Sequence, residues 1–224
     1  MTPPLLIVHD LTHRFDERAE IAFGSFTLNA GSILLLRGAS GCGKSTLLHL
    51  LGGVLSISAN SGSAVLDGLD IAAMTTSARD RLRPRLVGWM PQRQFMINSL
   101  SVIDNVLLPV ALVGGVDAEV RLRATSLLHS LAIVELAEQR PTTLSVGQAA
   151  RVCLARALLT KPKLLLADVP TAALDAASAR LVAQQLLAFA ATGGAVMVAS
   201  HDRELGTLLA ADALAVVNEL DLPR

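Results

Sequence analysis

Apolar residues fall along this chain in short unbroken runs near both ends and at helical spacing in the middle. Leu5 to Val8 is a short apolar run, and Ile21 to Leu28 is interrupted only by Gly24 and polar residues. Both read as strands, and Asn29-Ala30-Gly31 after them reads as a turn. Ile33-Leu34-Leu35-Leu36, within Ser32 to Arg37, suits a strand buried on both faces. A glycine-rich loop follows, and Ser45 to Leu51 opens a helix. Ala64-Val65-Leu66 ends in the turn signal Asp67-Gly68. Between about Ser101 and Ala137 the period becomes helical. Val102, Ile103, Val106, Leu107 and Val110 share one face, with Pro109 bending or ending that helix. Gly114-Gly115 breaks the pattern, and Val120, Leu122, Leu127, Leu128 and Leu131 resume it. No strand is predicted here, so a helical subdomain over approximately 95–160 is expected as an insertion in an α/β domain. Strand and helix then alternate again. Leu164-Leu165-Leu166-Ala167 and Ala195 to Ala199 are buried strands, and Asp175 caps a helix running to about Ala191. Such alternation implies a largely parallel sheet with both faces covered.

Composition narrows this picture. The 224 residues suffice for one large domain, and 52% hydrophobic against 17% charged residues excludes a disordered chain. Lys plus Arg number 19 and Asp plus Glu number 19, so the formal charge is zero and a strongly basic nucleic-acid binder is excluded. Cys42 and Cys153 are far apart and lack metal-ligand spacing, which fits a reducing compartment. The mean hydropathy of +0.52 prompts a search for a membrane span. The longest uncharged stretch, Leu181 to Ser200, contains Gln184, Gln185 and Gly193-Gly194 and reads as helix, break and strand. The N-terminus lacks the basic flank of a signal peptide. A soluble, cytosolic chain is expected, its excess hydrophobicity going into a core or onto a partner.

Candidate chemistry begins at Gly38-Ala39-Ser40-Gly41-Cys42-Gly43-Lys44-Ser45, which fits G-x-x-x-x-G-K-[ST] at every fixed position. The context also fits, with a buried strand before and a helix after. Glycines let the backbone curl so that several N–H groups converge on phosphate oxygens, and the helix N-terminus adds its positive dipole end. Lys44 then reaches the β- and γ-phosphates and the Ser45 hydroxyl ligates Mg²⁺. Cys42 is read as a small space-filling residue rather than a redox group. An Asp that ends a strand is by itself an ordinary turn residue. Paired with this loop, Asp168 is expected to hold Mg²⁺ from the neighbouring strand.

Five further segments resemble the ATP-binding cassette (ABC) ATPase family, and the resemblance covers essentially the whole chain. Leu144-Ser145-Val146-Gly147-Gln148 resembles the family's LSGGQ signature, and Pro170-Thr171-Ala172-Ala173-Leu174-Asp175 resembles its D-loop. Gln92 matches the Q-loop, His201 the switch histidine, and Phe15 the aromatic that stacks on adenine. The resemblance implies a P-loop NTPase fold, one ABC ATPase domain over 1–224 with an N-terminal antiparallel β part beside the parallel core. It also implies ATP and Mg²⁺ as ligands. Gly38, Ser40, Gly41, Cys42, Gly43, Lys44, Ser45 and Thr46 would hold the nucleotide, with Ser45, Gln92 and Asp168 around the metal. Two cassettes pair head to tail in this family, so Ser145, Gly147 and Gln148 would face the nucleotide held by a second cassette. The expected partners are that cassette and a transmembrane permease, with the chain on the cytoplasmic face of the membrane. Ser101-Val102-Ile103-Asp104-Asn105-Val106-Leu107-Leu108-Pro109 is similar to the branch serving lipoprotein release and macrolide export. Phe95, Met96, Ile97 and Leu100 either receive the permease's coupling helix or pack inside the helical subdomain.

Two positions depart from the family pattern. Val169 stands where a Glu that polarises the attacking water is expected, and Val has no proton acceptor. Losing a general base costs about 10²–10⁴-fold in rate. Val146 replaces the first glycine of the signature pair, which either crowds the γ-phosphate or forces a backbone change where glycine's φ is needed. A homodimer would carry both defects at both sites, and a heterodimer with a normal cassette one per site. ATP binding with weak hydrolysis is therefore expected, or a purely nucleotide-gated subunit.

Overall fold

A computed structural model describes residues 3–15, 20–211 and 216–222. Its centre is a five-stranded parallel sheet in the order β6-β7-β8-β3-β9, formed by β3 (Ser32–Arg37), β6 (Val87–Met90), β7 (Leu164–Asp168), β8 (Ala195–Ala199) and β9 (Val216–Asp221). The apolar runs read as doubly buried strands divide by parity. Leu34, Leu36, Leu164, Leu166 and Met197 face one side, and Ile33, Leu35, Leu165, Val196 and Val198 face the other. Each face needs a cover, and two different layers supply it.

One cover is a four-stranded antiparallel sheet, order β2-β1-β4-β5, built from β1 (Leu6–His13), β2 (Ile21–Leu28), β4 (Ser63–Leu66) and β5 (Leu69–Asp70). Leu6, Val8, Leu11, Phe23 and Leu28 pack from it onto the parallel sheet and α1 (Lys44–Leu51). β1 runs further than its apolar start suggests. Its pairing with β2 shifts between Val8 and Leu11, where Asp10 takes φ 43°, so the polar His9-Asp10 pair is absorbed in a bulge.

The other face is covered by helices. Between Pro91 and Lys163 no strand occurs; the stretch holds α3 (Val102–Ala111), α4 (Ala118–Ser130) and α5 (Val146–Leu158). Val102, Val106, Leu128, Leu131, Val152 and Leu154 are fully or almost fully buried with the sheet residues above, alongside α6 (Ala176–Ala191) and α7 (Arg203–Ala210). Leu122 departs from the expected pattern. It is 68% exposed, because α4 buries Ala124 and Leu128 and position 122 lies off that face. Pro109 sits in the last turn of α3, which ends at Ala111. A polar helix, α2 (Thr76–Leu86), shows no apolar period in the sequence and leads into β6. No helix among the described residues is long and apolar enough to cross a membrane.

Candidate functional site

Parallel strands bring their carboxyl ends to one edge, and the loops leaving them can share a site there. β6, β7, β8 and β3 are neighbours in that order. Gln92 follows β6, Asp168 and Val169 end and follow β7, His201 follows β8, and the glycine-rich loop follows β3. These segments, with Ser40, Lys44, Ser45 and Thr46, line one open pocket of about 200 Å³.

The loop is held in shape by glycines that no other residue replaces without a shift. Gly38 has φ 134°, and a Cβ there would lie 2.7 Å from Cys42 Sγ and 3.0 Å from the Leu222 carbonyl. Gly43 has φ 99°, and its Cβ would meet Ile21 and Phe23 of β2 at about 3 Å. Gly43 is also the N-cap of α1 and contributes no side-chain bond, so the first N–H groups of α1 are unclaimed by any cap. Lys44 is only 8% exposed, and its Nζ donates to the Gly38 and Ala39 carbonyls at 2.8 Å each. The ammonium thus ties the loop together from beneath, with Cys42 buried beside it. An uncapped helix start with a buried ammonium is a receptor for phosphate groups.

Asp168 is 4% exposed, and its Oδ1 has no hydrogen-bond partner among the described residues. A buried carboxylate oxygen left unpaired is costly unless a cation or water meets it. Ser45 and Gln92 line the same pocket, so the donor set is all oxygen, which suits Mg²⁺. The residues fit the ion that the sequence implied.

Val169 is buried at the pocket wall with φ 46°, a left-handed backbone rarely adopted by a β-branched residue. Its N–H donates to the Ala199 carbonyl at 2.8 Å and its carbonyl accepts from Ala172 at 3.2 Å, so a tight turn imposes the conformation. Such strain costs about 1–3 kcal/mol and clusters at functional sites. The His201 loop is braced against this turn. Asp202 Oδ2 accepts from Thr171 Oγ1 at 2.9 Å, and its Oδ1 accepts from the Glu204 N–H that it caps. The sequence motifs mark Thr171 only as part of the D-loop segment and do not single out Asp202. An Asp directly before a helix is the signal that marks Asp202.

Other candidates lie apart from the pocket. Phe15 is 42% exposed beyond the end of β1, edge-on to His13 at 4.4 Å, and does not line the pocket. Gly38 and Cys42 shape the loop from behind. Ser145, Gly147 and Gln148 sit at the capped start of α5 and do not line this pocket. Ser145 caps the Gln148 N–H at 3.2 Å, and Gln148 Oε1 accepts from the Ser145 N–H at 2.8 Å, a reciprocal capping box. The expectation that Val146 disturbs the backbone is wrong on this point. Val146 is the first residue of α5 and is absent from the positive-φ positions, so its backbone makes no demand for glycine. The close approach falls on Gly147 instead, where a Cβ would lie 2.8 Å from Ser178 Oγ. Asp175 caps α6 through Ser178, and these two hydrogen bonds hold its carboxyl below the usual range. The Phe95 cluster is split: Phe95 and Ile97 are exposed, while Met96 packs against the helical core.

A model of a family described as "ABC transporter" matches residues 24–172. The chain is 37% identical over 209 residues, 92% of its length, to the macrolide export ATP-binding/permease protein MacB of Burkholderia pseudomallei strains 1710b and K96243. It spans 32% of those longer proteins. It is 35% identical over 191 residues to the lipoprotein-releasing system ATP-binding protein LolD of Alcanivorax borkumensis, covering 84% of this chain and 83% of LolD. Among solved structures, the dimeric ATP-binding cassette MJ0796 bound to ADP and Pi is similar at a TM-score of 0.80 and 26% identity, covering 98% of this chain and 97% of that one. With the loop, the strand-end carboxylate and the capped signature helix in place, and with relatives and fold in agreement, the chain belongs to the ABC transporter family.

Proposed function

We propose that this cassette binds Mg-ATP at the strand ends, pairs head to tail with a second cassette, and drives a transmembrane permease, hydrolysing ATP only weakly by itself. One observation carries the reading. Buried Lys44 and Asp168, whose Oδ1 is unpartnered among the described residues, line one pocket at the uncapped start of α1. Lys44 and the loop N–H groups would take the phosphate oxygens, and Thr46 and Ser40 the remaining polar contacts. Ser45, Gln92 and Asp168 would hold Mg²⁺, which supplies charge neutralisation between the phosphates. Ser145 and the N–H groups of Gly147 and Gln148 at the start of α5 would face the second cassette's nucleotide, while Gln148 keeps Ser145 in place. His201 would orient the attacking water from its braced loop. Phe15, exposed at the end of β1, is available to an adenine ring.

Weak turnover rests on Val169, since the pocket wall has a hydrocarbon where a proton acceptor is needed. MacB carries both ATP-binding and permease functions by name, which supports a permease partner for this chain. Its docking region on this reading is the exposed pair Phe95 and Ile97 with the adjoining groove of about 440 Å³, walled by Trp89, Leu108, Pro109, Leu112 and Val113. On this reading the cassette works from the cytoplasmic face of the membrane, with no nucleic acid involved.

Equilibrium titration with Mg-ATP tests the reading. Lys44→Ala abolishes binding, and unchanged affinity would overturn the assignment. A second reading, a nucleotide-gated subunit with negligible hydrolysis, is favoured by Val169 alone. An ATPase assay on the chain with and without a partner cassette separates the two.

A further inference from the structure

Just beyond Gln92 the chain is gripped by side chains from the helical layer. Asn105 on α3 is 0% exposed, and its amide spends both polar ends on this segment. Oδ1 accepts from the Ile97 N–H at 2.8 Å. Nδ2 donates to the Ile97 carbonyl at 3.1 Å and the Ser101 carbonyl at 2.9 Å. Arg156 on α5 donates to the Phe95 carbonyl at 2.8 Å, and Arg140 donates to the Ser99 carbonyl. An amide that takes the N–H and the C=O of one residue together acts as a strand would, which no charged or apolar side chain of this size can copy. The segment is thus bolted to α3 and α5, though it lies outside regular structure. Gln92 at its start lines the nucleotide pocket, and Ser145 caps α5 at its other end.

We propose that Asn105, assisted by Arg156, is the latch through which the helical layer, including the start of α5, follows any movement of Gln92. The inference rests on the nucleotide-binding reading above. Asn105 is a positioning residue, since it touches neither the pocket nor the signature residues. Without the latch, movement of Gln92 is absorbed by the segment before it reaches α3 or α5. With it, one displacement at the pocket moves the helix that carries the signature start.

Hydrogen exchange measured by mass spectrometry on the full chain, kept dilute enough to be monomeric by light scattering so that no second cassette covers α5, with and without Mg-ATP, tests this. In the unmodified chain ATP slows exchange in the phosphate loop and changes it both at residues 93–100 and at the first turns of α5. Asn105→Ala is remote from the pocket and keeps ATP affinity within about twofold. It still protects the phosphate loop, but its response in α5 falls by about fivefold. Arg156→Lys, which keeps the charge and loses the guanidinium geometry, gives a smaller loss in the same direction and serves if Asn105→Ala does not fold. An α5 response undiminished in both variants, or no α5 response in an unmodified chain that binds ATP, overturns the latch. An unmodified chain that does not bind ATP at all overturns the nucleotide reading, and the latch with it.

Discussion

Replacing Val169 by Glu returns a carboxylate to the turn after β7, at the wall of the pocket shared by Lys44, Gln92, Asp168 and His201. The binding groups are untouched, because Lys44 is held by the Gly38 and Ala39 carbonyls and Asp168 by its strand. The gain is confined to proton removal from the attacking water. A general base contributes about 10²–10⁴-fold, so the barrier falls by about 2.7–5.4 kcal/mol. Backbone strain does not oppose the change. Val169 already occupies φ 46°, where β-branching is the least tolerated feature, and Glu is unbranched at Cβ. Val169→Gln is the control, matching Glu in length and backbone preference without a proton acceptor. The assay is single-turnover hydrolysis with the protein in excess, on the unmodified chain and both variants, alone and with a partner cassette. Val169→Glu is expected to raise turnover by about 10²-fold or more, with Val169→Gln near the unmodified chain. ATP affinity should change by less than about threefold, as expected for an interaction made only in the transition state. Equal rates for Glu and Gln, or an unmodified chain already turning over at about 1 s⁻¹ or faster, would show that another group removes the proton.

Three further outcomes follow from the geometry. Gly147→Ala sets a Cβ 2.8 Å from Ser178 Oγ and should lower stability by about 1–3 kcal/mol in denaturant titration, with Ser178→Ala in the same chain recovering part of it; full stability of the single variant would refute the packing argument. Asp168→Asn removes the buried charge that an ion would meet, so the dependence of ATP binding on Mg²⁺, read by titration with and without EDTA, should largely disappear while the fold persists. The Ser178 bonds depress the carboxyl of Asp175, so its cap stabilises the fold fully above the ordinary carboxylate range and fades as pH falls through the lowered value. Asp175→Asn should flatten that acid limb in thermal melts across pH, and an unaltered limb would count against the cap.

Short-range features were legible because short-range physics makes them. The spacing from Gly38 to Ser45 carries its own turn and helix start, and the apolar runs at 33–36, 164–167 and 195–199 declare burial on both faces before any neighbour is known. Asp175 as a cap and the strand-loop-helix order around Lys44 are equally local. What the pattern could not reach is non-local. Neighbour order in the sheet puts Gln92, Asp168 and His201 beside the phosphate loop, although they are distant from it in the chain. Helix α2 escaped notice because its few apolar residues, set among four arginines and an aspartate, make no helical period, and Leu122 misled because a heptad-like run does not say which side of a helix the core occupies. The exposure of Val146 and the tightness at Gly147 depend on where α6 packs, so which of the two signature positions must stay small is decided only once Ser178 is in place. The left-handed backbone of Val169 arises in the same way, from a turn whose N–H is claimed by the Ala199 carbonyl of the neighbouring strand.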